Sequence, residues 1–379
     1  MKSIAKPVLR GDNGVKNMAS TTPTFIYNGR FATQKTTGVQ RVARELIAAL
    51  GHLPDNGEVT VVVPPQPGLQ SVGNTNTVKV GFGKGVFWEQ LVLPFFAGRH
   101  RIVNLSNSAS IFRFNQVIYM HDAAVFDTPA HFSWRFRAWY RLMFWILART
   151  SSCVVTNSNF SRQRLAHHCG VPATRISVVP LGADHLDATV PDTSVLHEHG
   201  LTSKRFVLAV SSMNPTKNFG RILEAFRQLD DPTIDLVIVG MKNTSVFGNV
   251  QDVQNAAPNV KAVGYISDEK LKALYQHAHC FVYPSIYEGF GIPPLEAMRS
   301  GCPVIVARSA ALPETCGDAA LYCDPYSSED IAEQLRTLLR SPELRKTLIE
   351  RGLAHAAEYR WGASAEMLSQ VIDRSRRGA

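Results

Sequence analysis

Residues 283–314 read YPSIYEGFGIPPLEAMRSGCPVIVARSAALPE, with Glu288 and Glu296 eight positions apart around a glycine turn. The apolar run before them, HCFVYPS, has the length and composition of a buried strand, and PVIVA after them begins another. Pro293 and Pro294 suit the first turn of a helix, where a missing N–H costs nothing. Gly289 and Gly291 allow tight turning and close backbone approach. The pattern therefore predicts a strand, a glycine turn holding Glu288, and a helix with Glu296 in its first turn. Strand, turn, helix and strand in so short a span is the unit of a parallel α/β sheet.

Working outward, the same alternation fills the chain in two blocks. The first runs from Phe25: strand TFIYNG, a loop ending in TTG, helix VQRVARELIAAL, strand EVTVVVP, strand VIYM ending at His121 and Asp122, a helix from about Ser133 to Arg149, strand SSCVVTNS, helix NFSRQRLAHHCG and strand RISVVPLGAD. The segment from His185, HLDATVPDTSVLHEHGLTSK, breaks the rhythm and reads as a linker. The alternation restarts at RFVLAV and continues to a capped amphipathic helix, SSEDIAEQLRTLLR, and a last helix from Trp361. These blocks divide the chain into a tail (1–24), a first domain (25–184), a linker (185–203), a second domain (204–358) and a terminal helix (359–379) expected to cross back to the first domain near Met367 and Val371, pivoting on Trp361. Two sheets in tandem leave a cleft between their strand ends, where ligands of open sheets bind.

The bulk properties narrow the partner. A chain of 379 residues suggests two domains, and a formal net charge of +9 favours an anionic partner. Six scattered cysteines without a zinc or redox spacing read as buried free thiols of a cytoplasmic protein. The N-terminal stretch lacks the apolar core of a signal peptide, and Met18 is a candidate start. No apolar run is long enough to span a bilayer. No helix-turn-helix, zinc or single-strand-binding pattern supports nucleic acid.

Each candidate residue has an ordinary reading beside the functional one. Glutamates are mostly solvated helix-face charges. Here a helix N-terminus offers amides to an anion while two carboxylates can accept bonds from hydroxyls, and hydroxyls with a phosphate describe a sugar nucleotide. Lys217, in SSMNPTKN after a strand, is either a loop lysine or the cation for that anion. Gly38, in the loop Thr37–Gly38–Val39–Gln40–Arg41, is weak by itself. His121 at a strand end is either a buried structural imidazole or a ligand-facing one. The helix WRFRAWYRLMFWILAR mixes arginines with tryptophans like an interfacial amphipath, while its second half is apolar all round like a core helix.

These residues carry a resemblance. YEGFGIPPLEAMRSGCPVI with AALPE, GDAALYCDP and NPTKN resemble the nucleotide-sugar-binding domain of retaining GT-B glycosyltransferases of family 4. More loosely, TTGVQRVARELIAAL, WEQLVLP, the His–Asp pair and VVTNSNFSRQRL resemble the family's first domain. The resemblance implies an α/β GT-B fold, two Rossmann-like domains facing across a cleft. It also implies roles. Glu296 would bind the ribose hydroxyls, and Glu288 the hydroxyls of the transferred sugar. Backbone amides at Gly289, Phe290, Gly291 and Ile292 would touch the sugar and diphosphate. Lys217 would neutralise the departing diphosphate, Gly38 would admit it, and His121 would stand beside the sugar. Relatives often carry an arginine where this chain has Ser212 or Thr216, which shifts charge neutralisation onto Lys217 with help from Arg41.

Electrostatic preorganisation by lysine and helix amides then replaces a metal, so no metal or other cofactor is expected. With no carboxylate nucleophile evident in the first domain, a front-side displacement is the expected route. Rival readings are a sugar-nucleotide 2-epimerase, a phosphorylase, or a non-catalytic nucleotide-sugar-binding partner. A Rossmann dehydrogenase lacks its glycine fingerprint after Phe25. The resemblance to O-antigen and exopolysaccharide mannosyltransferases makes GDP-mannose the first expected donor. The expected acceptor is an undecaprenyl-diphosphate-linked saccharide at the cytoplasmic face of the inner membrane, with peripheral contact to its anionic surface.

Overall fold

The computed structural model describes residues 25–54, 58–66, 71–210, 214–240 and 259–377. The tail 1–24, Met18 and Ser212 lie outside them. Two parallel sheets form the frame. The first holds β1 (Phe25–Asn28), β2 (Thr60–Val63), β3 (Asn76–Lys79), β4 (Arg101–Asn104), β5 (Val117–Tyr119), β6 (Cys153–Thr156) and β7 (Ile176–Val178) in the order β3-β2-β1-β4-β5-β6-β7. The second holds β8 (Arg205–Val210), β9 (Ile234–Val239), β10 (Val260–Gly264), β11 (Cys280–Tyr283), β12 (Val304–Ala307) and β13 (Ala320–Cys323) in the order β10-β9-β8-β11-β12-β13. Every pairing with a resolved register is parallel, for example Phe281 with Val304 and Ile26 with Ile102. The two-domain α/β architecture expected from the alternation is therefore present. In each sheet the order reverses beside the first strand, and such a switch point opens a crevice at the strands' carboxyl ends.

Helices cover both faces. On one face of the first sheet lies α1 (Gly38–Leu50), whose Val42, Leu46, Ile47 and Leu50 join Tyr27, Val61 and Val103 in the core. The opposite face carries α2, residues 85–97, in which a five-residue π-turn (Trp88–Val92) leads into Leu93–Ala97. Trp88, Val92, Leu93 and Ala97 of α2 pack on Ile26, Val62 and Ile102. Beside it on that face, α3 (Trp134–Thr150) sends Met143, Phe144, Leu147 and Ala148 onto Ile118 and Val154. Then α4 (Asn159–Cys169) closes on Gly170 in the left-handed conformation. Leu142 and Trp145 of α3 are exposed, so the second half of this helix is buried on its sheet-facing side and not all round as its composition suggests.

In the second domain, α5 (Phe219–Arg227) and α9 (Ser328–Arg340) pack on one face around Val207, Ile238 and Val282. Between them in the chain come α6 (Asp268–His277), α7 (Ile292–Arg299) and α8 (Leu312–Cys316). After α10 (Pro342–Ala356) the chain turns at Trp361 into α11 (Trp361–Arg377), which lies against α1 of the first domain. Trp361 is buried, its N–H donates to Asp184 Oδ1 at 2.8 Å, and its backbone presses so closely on Gly182 that a Cβ there would fall 2.3 Å from the Trp361 nitrogen. Ala365, Leu368 and Ile372 face the core and Val371 packs beside them as expected, whereas Met367 points outward, its neighbour Leu368 taking the inward place that helical phase allows.

Candidate active site

The loops leaving β1, β4, β5, β8 and β11 meet across the cleft and enclose a cavity of about 420 Å³. From the second domain its wall takes Asn214, Thr216, Lys217, Tyr287, Glu288 and Gly289. From the first it takes Arg30, Thr37, Val39, Gln40, Asn107 and Asp122, and an aromatic side made by Phe132, Phe136, Tyr140 and Phe144.

Lys217 closes a single 3-10 turn (Pro215–Lys217) just ahead of α5, not the helix start itself, because Asn214 caps that turn through Thr216 N–H at 3.0 Å. Its ammonium pairs with Glu288 Oε1 and donates to the Tyr283 hydroxyl at 2.9 Å. Tyr283 in turn donates to Glu288 at 2.7 Å. An ammonium has three donors, so one N–H of Lys217 remains for an incoming anion. Burial pushes the Tyr283 phenol well above its ordinary range, so it stays protonated and donating.

At Gly289 the two domains approach closely. A Cβ on it would fall 2.6 Å from the His121 carbonyl oxygen and 2.8 Å from Asp122 Cβ. Ser158 and Ser161 Oγ donate to the Gly289 carbonyl at 2.6 and 3.1 Å. Nearby, Tyr287 donates to Asp127 Oδ2 at 2.9 Å. Glu314 reaches across to cap α4, accepting from Asn159 N–H at 2.7 Å and Phe160 N–H at 3.0 Å. A carboxylate at a helix N-terminus is favourably placed for the helix dipole. Burial works against the Asp127 carboxylate, but hydrogen bonds from Arg164, His168 and Tyr287 outweigh it and hold its pKa at about 2.

Of the His121–Asp122 pair, it is the Asp122 side chain and not the His121 ring that lines the cavity. The His121 ring sits behind the cavity wall with Nε2 2.9 Å from the Leu105 carbonyl, so that nitrogen carries the proton. Burial lowers its pKa to about 4, leaving it neutral near pH 7. What His121 presents to the cleft is its backbone carbonyl, against Gly289. The side chain in the cavity is Asp122, whose carboxyl accepts from Ala124 N–H at 2.8 Å and is pushed up in pKa by burial, with Glu288 nearby adding to the shift.

A second polar cluster surrounds Glu296. The helix α7 begins at Ile292, after Gly291 at φ +111°, so Glu296 is its fifth residue and not in the first turn. That correction turns Glu296 inward, where His185 Nε2 donates to one oxygen at 2.9 Å and Tyr275 OH to the other at 3.1 Å. Each carboxylate oxygen still has acceptor capacity for a hydroxyl. Burial pulls the His185 pKa down, but the hydrogen bond and the charge of Glu296 together outweigh it and the net shift is upward. Across the cleft Arg41 holds Asp268 through two bonds of 2.8 and 2.7 Å.

The cavity thus brings together Lys217, Glu288 and Gly289 with the neighbours of Gly38 and His121. Gly38 itself is exposed on α1, with open space where a Cβ would stand. Arg41 and Glu296 belong to the second cluster. Phe290, Gly291 and Ile292 are not in the cavity wall, and the Phe290 ring is buried edge-on against Tyr359. His185, which the sequence assigns to a linker, holds Glu296. Its only sequence signal is its place at the break between blocks, since nothing local marks a partner 111 residues away. Among the described residues no three of His, Cys, Asp and Glu converge as metal ligands would.

Comparison with known proteins gives the family of the two halves and the fold. Residues 36–185 match the family model glycosyltransferase family 4, and residues 196–355 the model glycosyl transferases group 1. The chain is 31% identical over 254 residues to O-antigen chain mannosyltransferase B of Escherichia coli, covering 65% of this chain and 66% of that protein. It is 25% identical over 293 residues to O-antigen chain mannosyltransferase RfbU of Salmonella typhimurium, covering 76% and 78%. It spans just under two thirds of the first of these and only 27% of the serotype-specific mannosyltransferase WbdA of Escherichia coli, to which it is 24% identical over 222 residues. Among solved structures, sucrose-phosphate synthase from Thermosynechococcus elongatus superposes with a TM-score of 0.74 at 19% identity, covering 94% of this chain and all of that one. Anabaena Alr3699/HepE in complex with UDP and glucose gives 0.72 at 18% identity, covering 93% and 100%. These two likenesses are of fold.

Proposed function

Taking as premise that the chain belongs to the GT-B glycosyltransferases of family 4, we propose that it moves a hexose, first mannose from GDP-mannose, onto a lipid-linked saccharide with retention of configuration, in polysaccharide biosynthesis. The observation that carries this reading is the Lys217–Glu288–Tyr283 triad at the cavity floor, facing a wall of aromatic rings.

The roles follow from donor and acceptor capacity. The remaining N–H of Lys217 takes a phosphate oxygen and stabilises the charge that builds as the nucleoside diphosphate leaves. Glu288, anchored by Lys217 and Tyr283 through one oxygen, keeps the other for sugar hydroxyls. Glu296, fixed by His185 and Tyr275, offers its spare lone pairs to the ribose. The acceptor enters along Phe132, Phe136 and Tyr140, whose faces suit the apolar side of a sugar ring. Its hydroxyl arrives on the face the diphosphate leaves, and the departing oxygen takes its proton. A second reading rests on Asp122, the carboxyl that the first domain places in the cavity. A covalent route would use it as nucleophile, and a glycosyl adduct on Asp122 detected by mass spectrometry would replace the front-side route.

The test is a panel of nucleotide sugars assayed for nucleoside diphosphate release with and without a saccharide diphosphate-lipid acceptor, in EDTA and in magnesium. GDP-mannose should be preferred, turnover should need acceptor, and EDTA should leave it intact. Preference for another donor overturns the mannose assignment. Donor binding without transfer to any acceptor overturns the enzyme reading. Loss in EDTA with recovery in magnesium overturns metal independence.

A further inference from the structure

The chain passes between the domains twice, and the two passages are tied together. The first is the segment 180–186, ending in the 3-10 turn Asp184–Leu186, and the second is the start of α11. Ala183 N–H donates to the Tyr359 carbonyl at 3.0 Å and Ser364 Oγ to the Pro180 carbonyl at 2.7 Å, on either side of the bond from Trp361 N–H to Asp184. At Gly182 the passages lie too close for a side chain between them. From this junction a line of hydrogen bonds runs into the second domain. The Trp361 indole N–H donates to His185 Nδ1 at 3.3 Å, the two rings being tilted at 55°. His185 Nε2 then donates to Glu296 at 2.9 Å. Solvent hardly reaches this line, since the His185 side chain is 3% exposed and that of Glu296 9%.

The chemistry of the three groups gives the line a direction. An indole N–H can only donate, whereas a neutral imidazole offers one donor and one acceptor. With Nδ1 accepting from Trp361, the hydrogen of the neutral ring stands on Nε2 and faces the carboxylate. The other tautomer would set two N–H groups against each other at the indole and a bare nitrogen against Glu296. Tyr275 holds the second carboxylate oxygen at 3.1 Å, its phenol kept protonated by burial. Glu296 is thus fixed from two sides, with its spare lone pairs aimed away from both partners. We propose that Trp361 and His185 are positioning residues for the donor: Trp361 sets the tautomer of His185, and His185 sets the carboxylate that takes the ribose hydroxyls. This deepens the proposed function and rests on its assignment of Glu296 to the ribose. The grip on the ribose then depends on how the two passages meet, so a site built in the second domain is adjusted from its junction with the first. A role in packing alone would require the Trp361 ring but not its N–H.

The experiment is calorimetry of the full chain with GDP and 2′,3′-dideoxy-GDP, and with the same pair of uridine nucleotides. The readout is the ratio of the two affinities for whichever base binds, so a wrong mannose assignment does not disturb it. The wild type should prefer the ribonucleotide by roughly tenfold or more, the scale of hydrogen bonds to a charged group. Trp361→Phe keeps an aromatic ring against Gly182 and loses the N–H. It should cut that preference by about two- to tenfold, the range of one neutral hydrogen bond, and leave affinity for the dideoxynucleotide unchanged. His185→Leu should bring the ratio close to unity, and His185→Gln, whose amide can donate to Glu296, should recover most of it. Damage to the fold would weaken both nucleotides alike and leave the ratio where it was. If His185→Leu does not fold, Trp361→Phe and His185→Gln carry the test. A wild-type ratio of unity overturns the placement of the ribose at Glu296 and this inference with it. A preference that survives Trp361→Phe and His185→Leu, or a loss shared equally by both nucleotides, overturns the positioning roles alone.

Discussion

A single methyl group placed at Gly289 tests whether the two domains act only when shut. The added Cβ of Gly289→Ala would fall 2.6 Å from the His121 carbonyl oxygen, a backbone atom that cannot rotate aside. Ordinary contact begins near 3.4 Å, so the surfaces must separate by about 0.8 Å. That displacement would stretch the Ser158–Gly289 bond from 2.6 Å and the Tyr287–Asp127 bond from 2.9 Å toward or beyond the useful limit. Overpacking of this kind costs about 1–3 kcal/mol, or roughly 5- to 150-fold in the closed population. Because the clash vanishes when the domains part, each domain should keep its own packing. Turnover per unit KM should therefore fall by that factor in a nucleoside diphosphate release assay, while calorimetric affinity for the nucleoside diphosphate changes less. Unchanged kcat/KM in a folded Gly289→Ala protein would refute the requirement for closure at this contact.

Lys217→Ala should lower kcat by at least about a hundredfold, the scale of losing one preorganised charge contact, and near-wild-type turnover in a stable variant would remove Lys217 from the mechanism. Glu296→Gln should weaken binding of the nucleoside diphosphate by about tenfold, since bonds to a charged acceptor are about twice as strong as neutral ones, and equal affinity by calorimetry would place the ribose elsewhere. His185, whose folded pKa is raised, stabilises the protein fully below its unfolded value near 6.5 and loses that contribution as pH rises through the folded value. The melting-temperature gap between wild type and His185→Gln should therefore be widest at mildly acid pH and narrow above it, and a gap that widens with pH would contradict the sign.

Periodicity reveals the elements that are long or strongly apolar. Strands such as RFVLAV and IDLVIV are buried along almost their whole length, and α1 and α9 are closed amphipaths. It misses β3 and β4. NTVK sits at the sheet edge with both ends exposed, so no buried face shapes its sequence, and RIVN offers only two apolar residues, Ile102 and Val103, between Arg101 and Asn104. The π-turn in α2 shifts helical phase within one segment and hides it from a search at a single period. The site divides in the same way. Glu288 and Glu296 stand in a local pattern, so their neighbourhood is readable. His185 and Asp122 come to the site through parts of the chain far away in sequence, and Phe132, Phe136 and Tyr140, although stacked on one another at helical spacing, face a cavity whose other wall the second domain supplies, which no stretch of sequence encodes by itself. Even the helix start at Ile292, one turn before Glu296, is set by the left-handed Gly291 and by its close contact with Leu312 of α8.

The return of α11 also fixes when the first domain can be finished. Ala365, Leu368 and Ile372 complete the apolar layer over α1, and they are made only after the whole second sheet. At about 5–20 residues per second, roughly ten to forty seconds pass between synthesis of β7 and synthesis of this helix. During that interval Val42, Leu46 and their neighbours lack their outer cover, although every strand of the first sheet already exists. The first sheet is made before the second and covered after it, so a nascent chain stalled before Trp361 should expose the face of its first domain around Val42 and Leu46 to proteases and chaperones.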